Sequence, residues 1–275
     1  MTTSPTTTPI VVIGATGKTG RRVAAQLEAA GHAVRPASRS SATRFDWDDP
    51  TTWAPALDGA TGLYLVPPET GDLAPFVAEV ERSSVDRIVL LSARAPGQSG
   101  DDHLERFEDA VTGSTRPWTI LRPSWFAQNF DEGFYAPGIA EGTLRLPVGD
   151  GKEPFIDVGD IAAVAVAALT EPGHEGRTYE LSGPEAITFT EAVATIAEAS
   201  GRDLVFEAVD PDAWAAEMRG HEVPPPVIDL LGHLFAAIRV GENDHVSTGV
   251  ADALGRPPTA FAAWARTSFG EVATP

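Results

Sequence analysis

The chain has 275 residues, enough for one large α/β domain or a domain with an appended lobe. Its formal charge is −19, from 39 acidic residues against 20 basic ones, and so dispersed a basic complement argues against a nucleic-acid partner. The absence of cysteine excludes disulfides, iron–sulfur clusters and thiol catalysis, and fits a reducing, cytoplasmic setting. The opening residues 1–9, MTTSPTTTP, are polar and read as a disordered tail, not a signal peptide. "PIVVIG" then reads as a buried strand, and Lys18 to Ala30 as a helix with Val23 and Leu27 on one face and Gly31 as its stop. "HAVRPAS" is the second strand and "RFDW" a short third, followed by a helix from Pro50 to Leu57. "GLYLVPP" and "DRIVLLSA" are apolar, β-branched runs separated by the helix "LAPFVAEVERS", and "PWTILRPS" is a further strand.

Strands alternating with helices at this spacing predict a doubly wound parallel sheet, a Rossmann-type α/β fold. After about Phe134 the rhythm changes: Gly and Pro become frequent and strands short. Helices are expected over Val158–Leu169 and Thr188–Ser200, and a mostly helical stretch over Pro211–Phe269 with a break at Pro224 to Pro226. The apolar run Ile161 to Leu169 is far too short to span a bilayer, so no membrane partner is expected. The expected organisation is a nucleotide-binding core over 10–135, with the chain returning to it around 155–182. A smaller, mostly helical lobe over 136–275 would cap the substrate site without being an independent domain. Oligomeric state has no signature in the sequence.

Gly14, Gly17 and Gly20 form G-x-x-G-x-x-G between the first strand and the first helix. The first allows a tight turn, the second lets a pyrophosphate reach the backbone, and the third lets helix and strand pack closely. The helix N-terminus then offers free N–H groups to phosphate, with Thr16, Lys18 and Thr19 flanking. The second strand ends in Ser38, Arg39, Ser40 and Ser41, without the acid that binds a ribose 2′-hydroxyl. Arginine there suits a 2′-phosphate, so the expected cofactor is NADP(H), with Arg44 a second candidate. The six histidines show no metal-ligand spacing, and no metal is expected.

These motifs, with "GATGKTG", "LSA" ending a strand at Ser92, "ILRPSWFAQNF", "GDGKEPFIDVGDIA", "LSGPEAIT" and "GRPPTAFAAWA", resemble the NmrA-like atypical short-chain dehydrogenase/reductases. "SRSS", "RFDWDDPTTW" and "LYLVPP" resemble the branch of ergot-alkaloid (festuclavine-type) dehydrogenases and their bacterial relatives. The likeness runs from about Ile10 to Trp264. It implies that Val66, Pro67, Pro123 and Trp125 lie against the nicotinamide end of the cofactor, and Asp46 and Trp47 near its adenine.

Short-chain dehydrogenases use Tyr-x-x-x-Lys, in which the lysine lowers the phenol's pKa so that it can protonate a carbonyl oxygen. None of Tyr64, Tyr135 and Tyr179 has a lysine four residues on, and the only lysines are Lys18 and Lys152. The region that carries a lysine in isoflavone-reductase-like enzymes here reads "GDDHLERFEDAV", beginning with Asp101 and Asp102 after the glycine. Many NmrA-like sequences have His-x-x-x-Glu there, whereas Phe107 lies four residues after His103 and Glu108 five. His103 is the candidate proton donor, since histidine titrates near neutrality, and Ser92 a candidate for orienting substrate. Each has a bland alternative: a surface histidine at a helix start, and a serine that ends its own strand.

A site lacking Tyr and Lys suits an iminium ion, which becomes a neutral amine without a proton donor, or otherwise activated acceptors such as quinones and conjugated enones. Trp125, Phe126, Phe130, Phe134 and Tyr135 form an aromatic run expected to line a pocket for an aromatic or polycyclic small molecule, two or three of them in contact with it. Trp214, Met218 and His221 are candidates for a lid. The expected activity is NADPH-dependent reduction of such an acceptor in secondary metabolism. The alternatives are an NADP(H)-binding redox sensor without turnover and an NADPH quinone reductase.

Overall fold

A computed structural model describes residues 8–96 and 102–270. The chain folds into two compact units. The first comprises 1–123, 158–181 and 249–256, and the second 124–157, 182–248 and 257–275. The first unit therefore ends at Pro123, ahead of the expected 135, and gathers a third segment from 249–256 that periodicity did not reveal.

The first unit holds one seven-stranded parallel sheet. Its elements are β1 (Ile10–Ile13), α1 (Lys18–Ala29), β2 (Val34–Ser38), β3 (Thr43–Arg44), α2 (Trp53–Leu57), β4 (Gly62–Leu65), α3 (Ala74–Arg82), β5 (Arg87–Leu91), α4 (His103–Thr112), β6 (Trp118–Pro123), α5 (Val158–Thr170), β7 (Arg177–Leu181) and α6 (Gly249–Leu254). The strand order is β3-β2-β1-β4-β5-β6-β7, so the connections reverse direction between β1 and β4. Both faces of the sheet are covered, which is why its strands read as unbroken apolar runs; Val11, Val12, Leu63, Val89 and Leu90 are fully buried.

Helix α5 is the apolar run that the sequence marks as too short for a membrane, and it is buried nearly all round from Ile161 to Leu169. Gln26 on α1 donates to the Gly159 carbonyl at 3.1 Å, and Gly62 lies where a Cβ would meet Ile10 and Leu169 at 3.3–3.4 Å. Arg256 holds the buried carboxylate of Asp160 at 2.7 Å, fastening the end of α6 to α5.

The second unit is built of short helices and two small strand pairs: Thr143–Leu146 parallel to Val205–Ala208, and Lys152–Glu153 antiparallel to Ile187–Thr188. Its helix over Phe189–Ser200 starts in a capping box, with the Thr188 hydroxyl taking the Glu191 N–H at 3.1 Å and the Glu191 carboxylate taking the Thr188 N–H at 2.8 Å. The proline break separates helices over Pro211–Gly220 and Pro225–Arg239. The core is aromatic, with Phe130, Tyr135, Phe155, Phe189, Phe235 and Trp264 buried together.

Candidate active site

The turn after β1 separates three glycines by purpose. Gly14 has φ +75°, and a Cβ there would lie 3.0 Å from Val66; Gly20 packs so tightly that a Cβ would fall 2.2 Å from the Gly14 carbonyl oxygen. These two are glycines because the fold requires it. Gly17 differs: its φ of −79° and ψ of 174° are open to any residue, and the one neighbour of an added Cβ would be the Gly14 oxygen at 3.2 Å. A glycine at this position chiefly keeps open the ground in front of α1. That helix begins with no side-chain cap and no acid in its first turn, so its positive end faces outward unopposed.

Beyond the strand ends, at the point where the sheet order reverses, lies a cavity of about 620 Å³ within the first unit. It brings together nine of the expected cofactor residues: Gly14, Thr16, Ser38, Arg39, Ser40, Asp46, Trp47, Val66 and Pro67. Ser38 is nearly buried, and its oxygen takes the N–H groups of Ser40 (3.3 Å) and Ser41 (3.0 Å), which shapes the rim. Arg39 stands exposed on that rim with no ion pair among the described residues, whereas Arg44 is drawn to Asp46 (3.5 Å) and Asp49 (3.7 Å). Trp47 meets Phe45, Trp53 and Phe76 edge-on, and the Trp53 indole N–H donates to the Asp46 carbonyl at 3.0 Å. Asp46, Asp48, Glu69 and Asp72 give the same cavity an acidic wall. Thr19 and Gly20 are buried and do not line it. A glycine cradle before an uncapped helix, with an arginine at the far lip, fits a dinucleotide with a 2′-phosphate.

Ser92 follows β5 and is 8 % exposed. Its hydroxyl donates to Glu108 Oε1 at 2.5 Å, and Arg122 on β6 grips both oxygens of the same carboxylate, through Nε at 2.9 Å and through Nη2. The hydrogen bond to Glu108 raises the Arg122 pKa, so the guanidinium stays charged. Glu108 is the residue that the sequence reading passed over because it falls one place out of the His-x-x-x-Glu spacing. The available signal was its place on the buried face of α4, beside Phe107 and Val111. An acid on an apolar face needs a partner, and the strand run "TILRP" supplies an arginine. His103 opens α4, half-buried, with its ring edge against Phe107. Asp101 lies outside the described residues.

No tyrosine is placed as a catalytic phenol. Tyr64 is wholly buried within β4, and burial pushes its pKa up. Tyr135 is wholly buried in the second unit and is raised well above the ordinary value by burial, then by the charge of Glu153. Tyr179 on β7 bonds His174 Nδ1 at 2.9 Å. Among the described residues no His, Asp and Glu group is arranged to hold a metal, and no helix is long and apolar enough to cross a membrane.

Pro123 closes β6 and accepts the Arg94 N–H at 3.0 Å. The aromatic run belongs to the second unit. Phe130 and Tyr135 are part of its core, among Phe155 and Phe189. Trp125 is half-buried and stacks near-parallel with Tyr135 and Phe235, at 5.9 and 5.7 Å between ring centres. Phe126 is half-buried, and Phe134 is the exposed member at 39 %. Of the lid candidates, Trp214 is buried, Met218 half-buried and His221 exposed.

The parallel sheet, its reversal point and the glycine cradle define a Rossmann-type NAD(P)H-binding reductase. A family model described as NAD(P)H-binding matches residues 14–172, and the chain belongs to that family. Similar proteins include the (4-alkanoyl-5-oxo-2,5-dihydrofuran-3-yl)methyl phosphate reductase of Streptomyces griseus, 36% identical over 93% of this chain and 96% of that protein. Prestalk A differentiation protein A of Dictyostelium discoideum is 30% identical, over 96% and 93% of the two chains. Agroclavine dehydrogenase of Claviceps fusiformis is 30% identical, over 92% and 94%, which bears out the ergot-alkaloid resemblance. Among solved structures, an NADPH-dependent quinone oxidoreductase from Escherichia coli superimposes with a TM-score of 0.76 at 25% identity, covering 95% of this chain and all of that one.

Proposed function

We propose that the chain is an NADPH-dependent reductase of small, already activated organic acceptors: cyclic imines and iminium ions, conjugated enones, or quinones. The observation that carries this reading is the absence of any tyrosine–lysine acid: two tyrosines are sealed in cores, the third is bonded to His174, and the chain has only two lysines. An iminium ion becomes a neutral amine and needs no such acid, while enones and quinones spread the charge they gain over a conjugated system and depend on it less. The Streptomyces relative is named for a ring whose C=C bond is conjugated to carbonyl groups, and the Claviceps relative for a clavine, which agrees with the acceptor classes.

When bound, NADPH supplies the hydride. The chain's own residues would hold and orient it: Gly14 and Gly17 would clear the approach to the phosphates, the N–H groups at the start of α1 would receive them, and Arg39 would take the 2′-phosphate through charge-assisted hydrogen bonds. Val66 and Pro67 close the cavity wall beyond β4. Trp125, Phe126 and Phe134 are the members of the aromatic run that are not fully buried.

The test is an NADPH-oxidation screen over quinones, enones and cyclic imines, with cofactor affinity measured in parallel. Turnover is expected with at least one class. Tight NADPH binding without turnover on any of them would replace the reductase with a redox sensor.

A further inference from the structure

We infer that Glu108 is a positioning residue that makes Ser92 a hydrogen-bond acceptor only, so that the group bound at the end of β5 must bring its own N–H or O–H. The inference rests on the proposed reductase function and narrows its acceptors toward protonated imines.

A hydroxyl has one proton and two lone pairs. At Ser92 the proton is committed at 2.5 Å to Glu108, whose two oxygens also accept from Nε and Nη2 of Arg122. Glu108 itself is 6 % exposed, so water does not compete for it effectively. Ser92 makes no other side-chain hydrogen bond among the described residues, so two lone pairs are what its hydroxyl has left to offer. Such a group cannot stabilise an oxyanion, which is the customary demand of carbonyl reduction. It does match the N–H of a protonated imine. There the acceptor carbon gains the hydride, the C=N π pair moves onto nitrogen, and NADPH leaves as NADP⁺. The nitrogen keeps its proton throughout, so no acid is consumed. Ser92 would hold that N–H in line, and Glu108, through Ser92, would hold the lone pairs outward. Breaking the pair at Glu108 also strands Arg122, which is why a conservative variant is needed alongside the deletion.

The experiment compares Ser92→Ala, Glu108→Gln and Glu108→Ala with two acceptors, 3,4-dihydroisoquinolinium, which carries an N–H, and menadione, which carries none. With the iminium, Ser92→Ala and Glu108→Ala should each lose about tenfold or more in kcat/KM, the usual weight of one hydrogen bond to a charged group. The double variant should fall no further than the worse single one, because both act through one hydroxyl. Glu108→Gln keeps one oxygen, which Ser92 and Arg122 Nε can share, but sets an NH2 against Arg122 Nη2, so it should lose less than Glu108→Ala without recovering fully. With menadione, Ser92→Ala should change little. Binding of tetrahydroisoquinolinium, which cannot be reduced, is measured by calorimetry with NADPH present, a pair with no hydride acceptor, and should weaken about tenfold in Ser92→Ala. Equal losses with both acceptors, multiplying effects in the double variant, or ammonium binding indifferent to Ser92→Ala would each overturn the inference. Ser92-dependent ammonium binding in a protein that reduces no acceptor would instead uphold it and remove the reductase reading.

Discussion

Gly17, in the turn before α1, and Arg39, on the rim of the nucleotide cavity, each make a separable prediction. Gly17→Val should abolish NADPH binding while the fold persists, because its backbone conformation suits any residue and the one atom an added Cβ would meet is the Gly14 oxygen, at 3.2 Å. Calorimetry on the folded variant checks this; full affinity would make the turn purely structural. Arg39→Ala should lose about 1.5–3 kcal/mol of preference for NADPH over NADH. Equal affinity for the two cofactors in the unmodified protein would remove the 2′-phosphate role. His103→Ala should cost less than about tenfold on an iminium acceptor, well short of the roughly 10²–10⁴ that a general acid supplies. A larger loss would restore His103 as the acid. Legibility at this scale was uneven for a physical reason. Glycines advertise backbone demands along the chain, so the cradle could be read from three letters. Glu108 acts through Ser92, sixteen residues earlier, and Arg122, fourteen later, across neighbouring strands. No local spacing encodes that meeting.

Helices and strands were the easiest scale to read. The alternation of apolar β-branched runs with helical spacing located β1, β2, β4, β5 and β6 to within a few residues, and the arginines inside β2 and β6 are each hydrogen-bonded, Arg35 to Ala56 and Arg122 to Glu108. Thr188, expected as the first residue of its helix, is instead the N-cap, forming a capping box with Glu191 three residues on. Thr188→Ala should cost about 1 kcal/mol in denaturant unfolding. Less visible was the clip between α3 and the turn before β6, where Glu81 accepts from the Ser114 hydroxyl (2.6 Å), the Thr115 hydroxyl (2.6 Å) and the Thr115 N–H (2.7 Å). These bonds, with Arg116 nearby, hold the Glu81 pKa down at about 2, below an ordinary 4.5. A depressed folded-state pKa contributes stability that is complete above about pH 4.5 and is lost as pH falls toward 2. Glu81→Gln should therefore flatten the fall of Tm across that acid range relative to the parent protein. An unchanged acid limb would show that the clip carries no linkage.

Across the molecule, charge and chain path matter more than any contact. A net charge of −19 repels a polyphosphate ligand, and the acidic wall of Asp46, Asp48, Glu69 and Asp72 adds to that locally. The association rate for NADPH should rise when ionic strength goes from about 10 mM to about 150 mM, as the screening length shrinks to roughly 8 Å. Stopped-flow fluorescence measures it, and a falling rate would mean that Arg39 and the helix end dominate the approach. Division into units was the least legible property of all. Hydrophobic periodicity reports whether a segment is buried, not which neighbours bury it: the return of the chain expected around 155–182 corresponds to 158–181, but the exit lies at Pro123 instead of 135, and the late return at Gly249 was out of reach.

That late return sets a timetable for synthesis. The strands β1 to β6 leave the ribosome before the helix that covers α1 has been translated, and β6 must wait for β7 across the whole of the intervening segment. Until then the nascent sheet presents an open edge and an uncovered apolar face, the condition that invites misassembly. Even a paired β7 leaves Asp160 buried without its arginine until Arg256 emerges, 96 residues later. Closure of the nucleotide-binding unit thus waits on a residue far downstream of its strands, and premature termination anywhere before Arg256 should yield a product destined for holding by chaperones or for degradation.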